Sequence, residues 1–152
     1  MRELPTTEVE LPATHHGRWA GPNRLWLEDP ARPFRSDGAI EVSARALRYR
    51  WWHEGVPHEG EIALRGQPAA LEARWTDTWH AKEGFTLHGF VEDGVIRLFG
   101  TFDAGGTAWG WRTEIDWRDP EACLLRMFLV VPDGGPVPAV ALDGRRAGDG
   151  GA

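Results

Sequence analysis

Trp75, Asp77 and Trp79 alternate along the segment Trp75-Thr76-Asp77-Thr78-Trp79-His80. In an extended chain, residues two apart point the same way, so a carboxylate stands between two indoles on one face. Burial among aromatic walls raises a carboxyl pKa and suits Asp77 to act as a general base or as the acceptor that anchors a ligand. The competing reading is structural: Asp77 stays partly hydrated or pairs with an arginine, and such pairs also perturb titration. His80 closes the segment and completes the catalytic candidates. Strict alternation puts it on the opposite face from Asp77, at a strand end of the kind that forms a pocket mouth. The expectation is that Asp77 is the most desolvated carboxylate of the chain, with an arginine, histidine or hydroxyl in reach.

The indoles themselves point to binding. Nine tryptophans and one tyrosine occur in 152 residues, a bias toward indole rather than toward aromatics in general. Tryptophan is large and carries one N–H that wants a partner, so it suits a cavity wall better than a tight core. Trp51, Trp75, Trp79, Trp109 and Trp111 are the expected walls of such a cavity, the last four converging on it. Arg126 interrupts the apolar run Cys123–Val131. It is either an outward residue of a half-solvated strand or the polar anchor for an anionic ligand. His53 and His58 flank Glu54–Pro57; a four-residue loop would set them opposite each other, about 5 Å apart at Cβ, as the start of a metal site. Zinc takes three or four ligands and only two are fixed here, so no metal is assigned. Cys123 opens an aliphatic strand with no neighbouring histidine and reads as a small buried hydrophobe. No nucleophile elbow, phosphate loop or dinucleotide fingerprint is present, so no cofactor is expected.

Positioning these residues requires strands. Short segments of alternating polarity recur between turn signals, an all-β pattern. Their expected bounds are 19–27, 39–44, 47–54, 58–65, 71–80, 85–91, 95–102, 109–117, 123–131 and 137–142. Asp93-Gly94 is a strong hairpin signal and Gly105-Gly106 another turn. Short successive connections imply antiparallel neighbours. The expected fold is therefore an antiparallel up-and-down β-barrel of about ten strands, a number of strands that leaves room for a small ligand. A two-sheet sandwich would fill its middle with aliphatic residues, whereas this chain supplies indoles. Residues 1–13 read as a flexible segment, 14–143 as the barrel and 144–152 as a disordered tail.

Gly17-Arg18-Trp19-Ala20-Gly21 early, Trp75 to His80 midway and Trp109-Gly110-Trp111-Arg112 late together resemble a bacterial calycin-like family of unknown function. The Gly17-Arg18-Trp19 start is similar to the G-x-W opening of lipocalins and other calycins. The resemblance spans residues 14–142 and implies a calycin-like barrel without implying an activity. Trp52 to Glu59 also resembles nitrobindins, barrels that hold haem through a histidine near the C-terminus. The corresponding stretch here, Gly135 to Val140, has no histidine, and haem iron needs an axial ligand.

The formal charge of −6 supplies no basic field for nucleic acid or anionic lipid. One cysteine excludes an internal disulfide framework, residues 1–12 do not read as a signal peptide, and no run is long enough to span a membrane, so a cytoplasmic monomer or homodimer is expected. The leading function is binding of a small, mostly apolar aromatic molecule among the tryptophans. The alternatives are an isomerase, cyclase or hydrolase using Asp77 as base, or an interaction module with a filled barrel.

Overall fold

A computed structural model describes residues 8–147 of the chain. Ten strands form one closed antiparallel barrel: β1 (Gly17–Leu25), β2 (Phe34–Val42), β3 (Ala46–His53), β4 (Val56–Gln67), β5 (Ala70–Asp77), β6 (Ala81–Glu92), β7 (Val95–Ala104), β8 (Thr107–Asp116), β9 (Ala122–Val130) and β10 (Pro136–Arg146). Each strand pairs with its neighbours in sequence, and β1 closes the circle on β10, with Trp19 opposite Arg146 and Leu25 opposite Val140. The expected up-and-down barrel is the fold. Among the described residues the only helix is a single 3₁₀ turn, Ala13–His15, and none is long and apolar enough to cross a membrane.

Period-two alternation explains the two surfaces. On β3, Leu47, Tyr49 and Trp51 are buried inside, while Arg48 and Arg50 point out to pair with Glu61 and Glu59 of β4. Three hairpins turn on two residues of positive φ: Glu54-Gly55, Asp93-Gly94 and Gly105-Gly106. Such turns match the right-handed twist of the strands they join. The Glu54-Gly55 hairpin differs from the expected longer loop. It opposes His53 to Val56 and His58 to Trp51, so the two histidines do not face each other.

One end of the barrel is sealed by the chain's own N-terminal segment. Val9 and Leu11 are buried, their N–H groups donating to Gly66 O and Ala44 O at 2.7 Å each. Above them Trp19 donates to His15 O at 2.9 Å, and the Arg146 guanidinium lies 3.9 Å from the Trp19 ring centroid. The segment expected to be loose is therefore docked from Val9 onward, because its alternating apolar residues cover the barrel's base. Likewise β10 continues through Arg146, past the expected end of the domain. The remaining parts of both expected flexible ends, 1–7 and 148–152, lie outside the described residues. The other end, bearing the β1–β2, β3–β4, β5–β6, β7–β8 and β9–β10 turns, is the mouth.

Candidate ligand cavity and the Asp77 turn

At the mouth, β5 to β9 enclose a cavity of about 320 Å³ lined by Trp75, Trp79, His80, Phe85, Leu87, Gly100, Thr101, Phe102, Trp111 and Leu129. It lies at the small end of the range typical for ligand pockets. Its flat wall is the stacked pair Trp75 and Trp111, with ring centroids 4.9 Å apart and planes at 20°. Phe85 continues the stack 6.0 Å beyond Trp75. Trp111 lies opposite Gly100 on β7, and Leu87 packs onto that glycine, where a Cβ would come within 2.6 Å of it. A broader depression on the outer face of β1–β6 is open to solvent and carries the Arg–Glu pairs of β3 and β4. Its lining mixes these charged pairs with apolar side chains such as Ile40 and Trp52, and Tyr49, Gly60 and Asp77 border it.

Three of the four tryptophans expected to converge line this cavity. Trp109 does not: it sits two residues nearer the rim, half-buried, opposite Phe102. Trp51 is buried one layer away, with its ring 5.6 Å from that of Trp79. Arg126 faces outward between buried Leu125 and Met127 and pairs with Asp143 at 2.5 Å. Alternation puts it on the outside, so it anchors nothing in the cavity. His53 and His58 instead pack edge-on against Trp79, at 5.1 and 4.8 Å. Among the described residues no three histidine, cysteine or acidic side chains gather as a metal site.

His80 departs from strict alternation. β5 ends at Asp77 with a register irregularity, and the turn 78–80 brings His80 back to the side of Asp77. Its ring lies 5.0 Å from that of Trp111, and its Nδ1 is 3.7 Å from Asp77 Oδ2, too far for a hydrogen bond. Asp77 itself is 3% exposed. Its Oδ1 accepts the backbone N–H groups of Trp79 and His80 at 2.7 and 2.9 Å. Its Oδ2 accepts the Tyr49 hydroxyl, which in turn accepts Trp75 Nε1–H at 2.8 Å. Tyr49 reaches across because Gly60 stands between them on β4, opposite both; a Cβ there would fall 2.1 Å from Tyr49 Cζ.

The desolvated position of Asp77 was legible, but the direction of its pKa was not. Burial, the strongest single influence, pushes the carboxyl up; the adjacent His80 ring, the Tyr49 hydroxyl and the His80 N–H together outweigh it. The group ends below the ordinary carboxylate value, not above it. Tyr49 moves the other way, well above its usual range, through burial, the Asp77 charge and the hydrogen bond to it. The arrangement is thus a carboxylate held ionised by the adjacent His80 ring, a protonated tyrosine and two turn amides. Tyr49 and Gly60 were missed as members of this cluster because neither is near Asp77 in sequence. Their common register with it appears only once β3, β4 and β5 pair.

Compared with known protein families and with curated proteins, the chain matches none.

Proposed function

We propose that this barrel binds a small, planar, mostly apolar ligand in the mouth cavity, against the stacked face of Trp75 and Trp111. The observation that carries the reading is the enclosure of about 320 Å³ by aromatic and aliphatic side chains. Offset stacking on an indole adds about 0.5–1.5 kcal/mol to the gain from burying an aromatic ring. Asp77 serves this site by position. It clasps the turn that carries Trp79 and His80, two of the cavity's walls.

The geometry favours binding over acid–base chemistry. A general base needs a lone pair aimed at substrate, whereas both Asp77 oxygens are engaged by the chain and Asp77 does not line the mouth cavity. Titration of tryptophan emission with a panel of planar aromatic compounds tests the proposal. A saturable change is expected, weakened about tenfold in Trp111→Ala, which removes the stacking face and part of the buried area. If no compound alters the emission, the binding reading fails.

A further inference from the structure

The inner wall of β1–β3 near the mouth bears polar atoms that no group among the described residues partners: Asn23 Nδ2 and Oδ1, Ser36 Oγ and His53 Nδ1. Register makes them neighbours. Asn23 lies opposite Ser36 on β2. Two residues beyond the Gly38–Trp51 pair, Ser36 falls alongside His53 on β3. Phe34, the next inward residue of β2, reaches the His53 ring diagonally at 4.4 Å. Strands about 4.8 Å apart make this a row roughly 10 Å long.

Asn23 is 1% exposed, and neither polar atom of its side chain forms a hydrogen bond within the chain. Native proteins leave few such groups, because a buried amide without a partner loses its water and gains nothing in return. Four of the ten such atoms among the described residues fall in this one row at the level of the mouth, and Asn23 is the one side chain that contributes two. Trp79 stands between the row and the aromatic cavity: it lines the cavity, and its ring meets that of His53 at 5.1 Å.

We infer that the row Asn23–Ser36–His53 is a polar subsite for an uncharged ligand edge that carries a hydrogen-bond donor beside an acceptor, as in a lactam or carboxamide. The inference rests on the ligand-binding reading above and adds the chemical class of the ligand. A primary amide presents one donor edge and one acceptor edge, so Asn23 is matched by a group of the same pattern; the hydroxyl and imidazole supply either role. The inward positions of β1–β3 hold no lysine or arginine. A carboxylate buried there would lack a counter-ion. A ligand that joins the subsite to the aromatic cavity requires the Trp79 ring to turn, while the backbone of Trp79 stays bonded to Asp77.

Equilibrium dialysis with three two-ring probes tests this: naphthalene, its lactam counterpart 2-quinolone, and 2-naphthoate. The lactam pays more desolvation than the hydrocarbon, so any preference for it must come from hydrogen bonds in the site. We expect wild-type protein to bind 2-quinolone about tenfold tighter than naphthalene, and 2-naphthoate weakest. In Asn23→Leu/Ser36→Ala the quinolone preference should vanish while naphthalene affinity holds. Ser36→Ala, which deletes one atom, should reduce the preference in the same direction and serves if the double variant does not fold. Equal wild-type affinity for naphthalene and 2-quinolone, a preference that survives in the variants, or tightest binding of 2-naphthoate overturns the subsite and leaves the aromatic cavity standing. Failure of all three probes to bind overturns both.

Discussion

Replacing Asp77 with asparagine keeps the shape of the side chain and removes its charge. The amide oxygen can still accept the Trp79 and His80 N–H groups, which the carboxylate holds at 2.7 and 2.9 Å. The amide nitrogen, however, then faces the Tyr49 hydroxyl, an oxygen already accepting Trp75 Nε1–H. The hydroxyl hydrogen loses its acceptor in a site where Tyr49 is 3% exposed. One hydrogen bond to a charged group is worth about 1.5–3 kcal/mol, and the two remaining turn bonds weaken as the charge is lost. The expected loss at neutral pH is about 2–4 kcal/mol, or roughly 5–15 °C in Tm for a domain of this size. The pH dependence has a definite sign. Asp77 titrates lower in the folded protein than in the unfolded chain, so its ionised form stabilises the fold. That contribution is complete above the unfolded value of about 3.9 and disappears as pH falls through the lower folded value. Asparagine does not titrate, so the stability gap between wild type and variant should still be present at about pH 5 and close in stronger acid. Urea unfolding followed by circular dichroism at several pH values measures it. A variant as stable as wild type at neutral pH, or a gap that persists unchanged in strong acid, would refute the clasp.

Gly60→Val should destabilise the same cluster from the other side, since even a Cβ at residue 60 lies 2.1 Å from Tyr49 Cζ; a cost of about 1–3 kcal/mol is expected for forcing such a contact, read from the same denaturation curves. Leu11→Ala should cost about 2–4 kcal/mol by opening the packed base. It should leave ligand affinity unchanged, because the plug and the mouth are at opposite ends of the barrel. Cys123 is 1% exposed, and burial chiefly pushes its thiol up to about 12. Iodoacetamide at mildly alkaline pH should therefore leave the native protein unlabelled and modify it only once unfolded, as mass spectrometry would record.

Alternation, turn chemistry and connection length are local properties, and they determined the all-β class and the antiparallel barrel. Asp93-Gly94 and Gly105-Gly106 turn where those residues alone require it, since both tolerate positive φ in a two-residue hairpin. The inward face of Trp75 and Asp77 followed from spacing in the same way. Strand ends were less legible. Glu54-Gly55 competes with Gly55-Val56-Pro57 for the turn, and the winner reset the partners of His53 and His58. Arg126 could not be assigned a side from its own segment, because an apolar run buries both faces equally well until Asp143 arrives on β10 to pair with it. Val9 and Leu11 read as a loose end because their partners, Gly66 O at the end of β4 and Ala44 O between β2 and β3, lie far along the chain.

The Asp77 cluster marks the limit most clearly. Desolvation is a property of the segment and its face, so it could be anticipated; the sign of the pKa shift is a sum over neighbours from three strands. Tyr49 supplies a hydroxyl from β3, Gly60 leaves the space on β4, and the turn after β5 aims two N–H groups at one oxygen. The polar row of Asn23, Ser36 and His53 is likewise invisible along the chain, where each is an isolated polar residue. Sequence determined which residues of a strand share a face, because side-chain direction repeats every two residues. Tertiary structure decided which inward residues meet, because registers between strands add up around a closed barrel and no single segment contains that sum.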